Sequence, residues 1–350
     1  DKNLLIETSF PDADDAVFYS VRNKPFKLYN LYDPQNQPIF RRLPPDIAEA
    51  TSEQVAKLSK EPAGARVRFS TDSRYVILRA KEPSIGRASH MTMATMAGFD
   101  LYEDTDADSR YVKMFMPPYN MDEGYEQIIR FPDRRLRYLT INFPIHSVVS
   151  DVYIGIQGDA VLGEGKKYRS DKPVVIYGSS IVHGTAASRP GLIYTNTLSR
   201  YLDMDVVNLG FSGNAKAEPV MMNYIAGLDM SVFVYDYDHN APTFEYLRDT
   251  HYEGYRTIRS KNPDVPIVMA SRPDYWTRNY SMEYYTVEET EKRRRLIGRH
   301  DDRNQIVQGL FPPAMRKIGI NQTPCLRLFL IVFLFRDGPV QGGGESRHGG

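Results

Sequence analysis

The chain has 350 residues, which exceeds one ordinary domain and fits two. Hydrophobic residues make up 41% and charged residues 25%, so the chain can bury a core and is not globally disordered. Lys and Arg together number 44, as do Asp and Glu, which argues against a nucleic-acid partner because such proteins carry a basic excess. The one cysteine, Cys325, excludes an intrachain disulfide framework and a cysteine-based zinc cluster.

Neither the apolar runs nor the start of the sequence indicates a membrane segment. The longest apolar run, residues 326–335, contains Arg327 and is half the roughly 20 residues that a bilayer span needs. The sequence starts at Asp1, without an initiator Met and without a basic region followed by an apolar one. We therefore expect no membrane partner, and a removed leading segment would favour a secreted or periplasmic location.

The first half of the chain has the pattern of a β-sandwich. Short alternating or apolar segments, separated by turn clusters, predict antiparallel strands. The predicted strands are residues 66–69, 75–78, 98–102, 112–116, 126–131, 136–143 and 152–156. One short helix is predicted at 46–58, and residues 1–44 have the pattern of an irregular or edge-strand lead-in.

The second half changes period, because buried strands alternate there with helical stretches about 30 residues apart. The predicted strands are residues 172–177, 205–209, 231–236 and 265–270, and the predicted helices are 194–202, 217–228 and 243–259. This alternation predicts βαβ units and a parallel sheet. We expect a sandwich domain at 1–165, an α/β domain at 170–297 and an atypical C-terminal segment at 298–350.

Three polar loops follow three successive strands of the predicted parallel sheet. Ser180 lies just after the first strand, Gly213 after the second and Asn240 after the third. Ligands of such sheets bind beyond the carboxyl ends of the strands, so these loops converge on one crevice. A serine hydroxyl there can attack a carbonyl, while a glycine N–H and an asparagine amide can stabilise the oxyanion.

Each of these residues also has a purely structural interpretation. Ser180 can cap the following segment, Gly213 can serve a turn and Asn240 can cap the next helix. A lipase-type Gly-x-Ser-x-Gly elbow is absent around Ser180, since position 182 is Val. The occurrence of all three at successive strand ends favours the catalytic interpretation.

The motifs around these residues resemble those of the SGNH (GDSL-type) hydrolases, in the subgroup that carries an N-terminal β-sandwich. They are Tyr-Gly-Ser-Ser-Ile at 177–181, Asn-Leu-Gly-Phe-Ser-Gly-Asn at 208–214, Ala-Ser-Arg-Pro-Gly at 187–191, His-Met-Thr at 90–92, Gly-Phe-Asp-Leu-Tyr at 98–102 and the loop of Asn240. The resemblance covers about residues 1–297. It implies a three-layer flavodoxin-like α/β domain with a parallel sheet, preceded by a jelly-roll-like β-sandwich.

The same resemblance implies a serine esterase that needs no cofactor. Ser180 takes the place of the nucleophile, and Ser179 replaces the Asp that is more usual before it. Gly213 and the Ser180 backbone N–H match the oxyanion hole together with the Asn240 side chain. Many members remove acetyl groups from carbohydrates, so a small-molecule or glycan ester is the implied substrate.

The general base of the family, a His in an Asp-x-x-His block near the C-terminus, has no clear match. Glu345-x-x-His348 imitates the spacing in a Gly-rich tail, and Asp236-x-x-His239 places a second candidate beside Asn240. The other histidines are predicted to be structural or solvated: His90, His146, His183, His251 and His300. His183, three residues after Ser180, could instead line the cleft, although a base so close in sequence would be unusual.

The family pattern is lost from about residue 298 onward. We hypothesise that a reading-frame change or truncation produced residues 298–350, which would leave a weak or inactive esterase. Reading the neighbouring frames of the encoding DNA tests this: the absence there of an Asp-x-x-His followed by a helical pattern would count against it.

Two further residues are candidates for substrate binding. Arg189 can steer substrate oxygen atoms or form a structural ion pair, and Trp276 can stack on a sugar ring or pack internally. The basic run at 292–295 follows acidic residues at helical spacing and predicts a solvated helix face rather than a nucleic-acid patch. No metal motif is present, so no metal is expected.

Two other functions stay open at this stage. A non-catalytic carbohydrate-binding protein could retain the hydrolase fold, and a flavodoxin-like nucleotide binder could cradle phosphate in the loop after the first strand. The loops at 208–214 and around Asn240 favour the hydrolase. The sequence does not determine the oligomeric state.

Overall fold

The computed structural model describes residues 9–271, 286–299 and, as a strand, 305–307. Within these residues, none of the helices is long and apolar enough to cross a bilayer.

The first part of the chain forms a sandwich of two antiparallel sheets. Its strands are β1 (Ala16–Ser20), β2 (Lys27–Tyr29), β3 (Arg66–Thr71), β4 (Tyr75–Lys81), β5 (Phe99–Asp104), β6 (Ser109–Phe115), β7 (Gly124–Arg130), β8 (Arg137–Asn142), β9 (Asp151–Gln157) and β10 (Leu162–Glu164). One sheet has the order β1-β9-β4-β7, and the other has β10-β3-β8-β5-β6 with β2 paired to β3. The seven predicted strands are confirmed, and β1 is an edge strand as the lead-in predicted.

Strand β3 shows how the sandwich prepares a surface for the second domain. Val67 and Phe69 point into the sandwich core, as the period-two pattern predicts. The alternate residues Arg66 and Arg68 are also buried, at 2% and 4% exposure. Arg66 forms an ion pair with Asp205, which directly precedes a strand of the second domain. The polar face of β3 therefore packs on the α/β domain rather than facing solvent.

The predicted helix at 46–58 is two helices, α1 (Pro45–Thr51) and α2 (Glu53–Leu58). Ser52 breaks the helix because it adopts an extended backbone, and its hydroxyl accepts from the Val55 N–H at 3.1 Å. Ala48 and Val55 belong to the apolar core of the α/β domain. This connector therefore packs on the second domain, although it precedes most of the sandwich in sequence.

The second domain has a parallel sheet of order β12-β11-β13-β14-β15. Its strands are β11 (Val174–Gly178), β12 (Val206–Gly210), β13 (Val232–Asp236), β14 (Ile267–Ala270) and β15 (Gln305–Val307). The helices are α4 (Ser180–His183), α5 (Tyr194–Leu202), α6 (Pro219–Ala226), α7 (Phe244–Lys261) and α8 (Val287–Ile297), and the short α3 (Met93–Ala97) belongs to the sandwich. The strand order is that of a flavodoxin-like doubly wound sheet, as expected.

Apolar residues cover both faces of this sheet and create three layers. Val175 and Phe233 pack with α6 and α7 on one face. Val174 and Val232 pack with α5 on the other. Because successive strand residues point to opposite faces, strands buried on both sides are nearly continuous apolar runs. This explains why the second half of the sequence shows no polar alternation within its strands.

Glu82 directly follows β4 and is a fully buried carboxyl group in the sandwich. Burial raises the pKa of Glu82 to about 8, although the Ser147 hydroxyl acts to lower it. The folded protein therefore keeps this proton up to about pH 8, while the glutamate carboxyl of the unfolded chain, with its ordinary pKa of 4.5, loses it near pH 4.5. The folded state binds more protons between these values.

We predict that the free energy of unfolding falls as the pH rises from 4.5 to 8, by up to about 1.4 kcal/mol per pH unit from this group. Glu82→Gln removes the ionisable proton and flattens this dependence. Urea denaturation at several pH values measures it, with the exposed Glu123→Gln as the matched control. A Glu82→Gln variant with the wild-type pH dependence would contradict the prediction.

Candidate active site at the carboxyl edge of the parallel sheet

Ser180 is placed by a tight strand-to-helix turn. Strand β11 ends at Gly178, the fully buried Ser179 caps α4 by accepting from the Ile181 N–H, and Ser180 is the first helical residue. A Cβ atom on Gly178 would lie 2.3 Å from the Asp236 carbonyl oxygen, so only glycine permits this approach to β13. Ser180 is half-buried, and within the described residues its hydroxyl makes no hydrogen bond.

Gly213 lies in the loop that follows β12. It has a φ of +72°, in the left-handed region where a side chain is strained. A Cβ atom there would meet nothing within 4 Å, so the backbone conformation rather than crowding requires glycine. The residue is exposed, and the space beside it is open to a ligand.

Asn240 ends the turn that follows β13. Its Nδ2 donates to the Phe211 carbonyl at 3.1 Å, which joins this turn to the loop of Gly213. In the sheet, Gly178 pairs with Gly210 on one side and with Asp236 on the other. The three loops therefore begin at adjacent positions, and the structure brings Ser180, Gly213 and Asn240 to the same edge.

Asn208 fixes the helix that carries Ser180 against β12. Its Nδ2 donates to the Val182 carbonyl at 2.7 Å and to the Thr195 hydroxyl at 3.0 Å, while its Oδ1 accepts from the Gly210 N–H at 2.9 Å. Its own N–H donates to Asn30 of the sandwich side at 2.8 Å. A fully buried amide thus has a partner for each of these groups.

His183 connects the crevice to the sandwich. It is fully buried, and its Nε2 lies 3.0 Å from Glu61 Oε2 and 3.3 Å from the Ile145 carbonyl oxygen. Its Nδ1 lies 3.1 Å from the Ser212 hydroxyl, beside Gly213. The sequence predicted a structural or solvated histidine; the structure shows it buried and hydrogen-bonded on both ring nitrogens.

The charges of Glu61 and His183 follow from their surroundings. Burial acts to raise the pKa of Glu61, but hydrogen bonds from His146 and His183 outweigh it and lower that pKa to about 2. Burial, followed by the nearby Arg42 charge, lowers the pKa of His183 to about 4 despite the Glu61 carboxylate. Near neutral pH, Glu61 is therefore ionised and His183 is neutral.

His146 completes a cluster that the sequence analysis missed. Its Nδ1 lies 3.2 Å from Glu61 Oε2, and the His146 and His183 rings are 4.8 Å apart. The donor atoms of Glu61, His146 and His183 lie within 4.8 Å of one another, a spacing that a metal ion could bridge. In the structure, the imidazoles hydrogen-bond to the carboxylate instead. No local motif indicates this cluster, because its members come from three distant segments.

Two known protein families match this chain over different residues. Residues 171–302 match the "GDSL-like Lipase/Acylhydrolase family", and residues 16–162 match the "N-terminus of Esterase_SGNH_hydro-type". The two matches divide most of the chain between them.

The chain belongs to the SGNH (GDSL-type) hydrolase family. Members of this family are esterases and acylhydrolases.

Among the solved structures of similar fold are two that match most of this SGNH hydrolase. A protein described as a GDSL-like lipase from Bacteroides ovatus ATCC 8483 is 22% identical, with a TM-score of 0.74 over 84% of this chain and 87% of its own. The salicylyl-acyltransferase SsfX3 from a tetracycline biosynthetic pathway is 17% identical, with a TM-score of 0.66 over 86% and 90%. At these identities the likeness shows the fold alone. A search of curated proteins found no match to the chain.

The remaining histidines of the SGNH hydrolase have different surroundings, and His90 is exposed. His239 is half-buried in the turn that ends at Asn240. His251 is buried against the rings of Tyr235 and Tyr237, at 4.5 and 5.5 Å, which makes it a packing residue. The other base candidate, His348, lies outside the described residues, as do His300 and Trp276.

Arg189 forms an ion pair, which is one of the two roles predicted for it. Its Nη1 lies 3.7 Å from the buried Asp100 carboxylate and donates to the Tyr102 hydroxyl at 3.2 Å. The guanidinium also lies 4.0 Å over the Tyr111 ring. These contacts hold the loop after Ser180 against the sandwich, and substrate steering by Arg189 stays a prediction.

The basic run at 292–295 is only partly a solvated face, so that prediction was wrong for Arg293. Arg293 is 2% exposed and donates to Asp238 Oδ1 at 2.9 Å and to Glu289 Oε1 at 2.7 Å. It also donates to the Ala241 carbonyl at 3.2 Å. Helix α8 packs this side chain inward onto the turn of Asn240, a tertiary contact that charge patterning does not encode.

We predict that Arg293→Met destabilises the protein by about 3–5 kcal/mol, because it removes the cation from a buried ion pair and leaves the Asp238 carboxylate without that partner. Chemical denaturation measures the change. Arg295→Met on the same helix is the matched control, since its ion pair with Glu291 is exposed and should contribute under about 0.5 kcal/mol. Equal effects of the two substitutions would refute the assigned role of Arg293.

Proposed function

We propose that the protein is a serine esterase that hydrolyses short acyl esters, with acetyl esters of carbohydrates as the substrate class. One observation carries the proposal: a hydroxyl, a loop glycine and a carboxamide follow three adjacent parallel strands and reach one edge of the sheet. The proposal also draws on membership of a family of esterases and acylhydrolases.

In the proposed reaction, the Ser180 hydroxyl attacks the ester carbonyl and transfers its proton to a histidine. The developing oxyanion accepts hydrogen bonds from the Ser180 and Gly213 N–H groups and from the Asn240 amide. One Nδ2 hydrogen of Asn240 is used by the Phe211 carbonyl, which orients the amide and leaves the other for the oxyanion. Water then releases the acyl group from Ser180.

His239 and His348 remain the two proposed bases. His239 shares a turn with Asn240, whereas His348 belongs to the segment that we propose departs from the native family end. The family match ends at residue 302, which supports that proposal. A poorly placed base lowers the rate by several orders of magnitude while the oxyanion hole still functions. We therefore expect slow turnover.

We predict measurable hydrolysis of a short-chain nitrophenyl ester that falls at least 100-fold in Ser180→Ala, because the substitution removes the attacking oxygen. Steady-state kinetics of the full chain measure it, with the exposed Ser260→Ala as the control that leaves the rate unchanged. Turnover that is the same in wild type and Ser180→Ala would sink the proposal.

A non-catalytic glycan-binding protein is the second candidate, and a separate cavity favours it. This cavity of about 270 Å³ lies where the two domains meet, near Asp203, which shortly precedes β12. Its lining includes Arg66, Arg68, Arg200 and Tyr168, which offer the polar and aromatic contacts that sugars use. Glycan binding that weakens in Arg200→Met but persists in Ser180→Ala, without Ser180-dependent turnover, would favour this candidate.

A further inference from the structure

We infer that Ser212, His183 and Glu61 form a hydroxyl–imidazole–carboxylate triad that is separate from Ser180. In this triad, Ser212 is a nucleophile toward activated acyl and phosphonyl groups. The inference does not require Ser180 to react. It goes beyond the proposed esterase site because it assigns a separate attacking oxygen and a separate base.

His183 lies between the other two groups and contacts each of them through a different ring nitrogen. Ser212 Oγ is 3.1 Å from His183 Nδ1, and His183 Nε2 is 3.0 Å from Glu61 Oε2. A carboxylate that orients the imidazole, which in turn contacts a hydroxyl, is the arrangement that activates a serine nucleophile. Here the carboxylate belongs to Glu61, which follows helix α2, and the other two groups come from the α/β domain.

The surroundings fix the direction of each hydrogen bond. Both oxygens that face His183 Nε2, from Glu61 and from the Ile145 carbonyl, can only accept, so Nε2 carries the hydrogen. The low pKa of His183 keeps the ring neutral, which leaves Nδ1 as an acceptor. Ser212 must then donate its hydroxyl hydrogen to Nδ1. This hydrogen-bond direction is the one that general-base activation requires. An imidazole with a pKa of about 4 is a weak base, so we expect the reaction at Ser212 to be slow.

A further hydroxyl holds Ser212 in this orientation. Thr185 Oγ1 lies 2.8 Å from Ser212 Oγ, and because the Ser212 hydrogen is directed to His183, Thr185 is the donor of this pair. The Thr185 N–H also donates to the Ser180 carbonyl at 3.0 Å, so Ser212 is tied to the loop of the proposed nucleophile. Ser212 is half-buried and adjoins Gly213, where the structure leaves open space.

The reaction at Ser212 needs only the triad and the phosphonyl or acyl compound that it attacks. Ser212 Oγ forms a bond to the phosphorus of a fluorophosphonate, fluoride leaves, and the hydroxyl proton moves to His183 Nδ1. With an ester, Oγ bonds to the carbonyl carbon, and the departing alkoxide takes the proton back from His183. Ser212 and His183 are the catalytic residues of this step, and Glu61 is a positioning residue.

The experiment uses the full chain with Ser180→Ala, so that any remaining label reports another nucleophile. A fluorophosphonate probe is added, and the modified peptide is identified by mass spectrometry. We expect label on Ser212, no label there in Ser180→Ala/Ser212→Ala, and a rate at least 100-fold lower when His183→Gln is added, because the base is removed.

The matched control is His90→Gln in the same background. His90 is exposed and lies outside the cluster of Glu61, His146 and His183. We expect His90→Gln to leave the labelling rate within about threefold. Glu61→Gln should lower the maximal labelling rate at least tenfold while the half-saturating probe concentration stays within about twofold, a split that a general loss of folding would not produce.

The outcomes separate this inference from the proposed function. An unmodified Ser212 in folded Ser180→Ala protein, verified by circular dichroism, would overturn the inference whether or not Ser180 reacts in wild type. Labelling of Ser212 that is insensitive to His183→Gln would overturn the assigned base. Label on Ser212 without Ser180-dependent ester turnover would support the inference and contradict the proposed esterase.

Discussion

The guanidinium of Arg42 donates to four backbone carbonyls, and these hydrogen bonds join the connector to strand β12 of the α/β domain. Two acceptors, Leu58 at 2.8 Å and Glu61 at 2.8 Å, belong to the connector. The other two, Asn208 at 3.1 Å and Gly210 at 2.8 Å, end strand β12 just before the loop of Gly213. Burial lowers the pKa of Arg42 to about 10, yet leaves it charged at neutral pH. A buried cation is tolerated only where acceptors surround it, so these four carbonyls must stay together.

This constraint makes the sandwich a wall of the crevice rather than an appended module. Arg42 holds the Glu61 backbone, and the Glu61 side chain then reaches His183 beside the Ser180 helix. His146 approaches the same carboxylate from the segment after β8. The crevice polar groups are therefore positioned from both domains, and a change in domain contact would alter the imidazole that faces Ser212.

Ion pairs that involve buried charges also hold the loops of the candidate site. Arg293 secures the turn of Asn240 through Asp238, and Arg189 secures the loop after Ser180 through Asp100. Buried ion pairs contribute little net stability because desolvation offsets their attraction. Losing one partner is costly, however, so such pairs permit few alternative loop positions. Their effect on this protein is to restrict the crevice loops to one geometry.

The sequence by itself determined seven strands of the sandwich, four strands of the parallel sheet and the placing of Ser180, Gly213 and Asn240 at one edge. The spacing of apolar residues indicates which face of each strand or helix is buried. The carboxyl ends of parallel strands lie at the same edge of the sheet. Only the tertiary structure decided that the polar face of β3 and the side chain of Arg293 are buried, and that Glu61 and His146 meet His183. Those contacts join segments far apart in the chain, and they depend on how domains and helices pack. No local pattern carries that information.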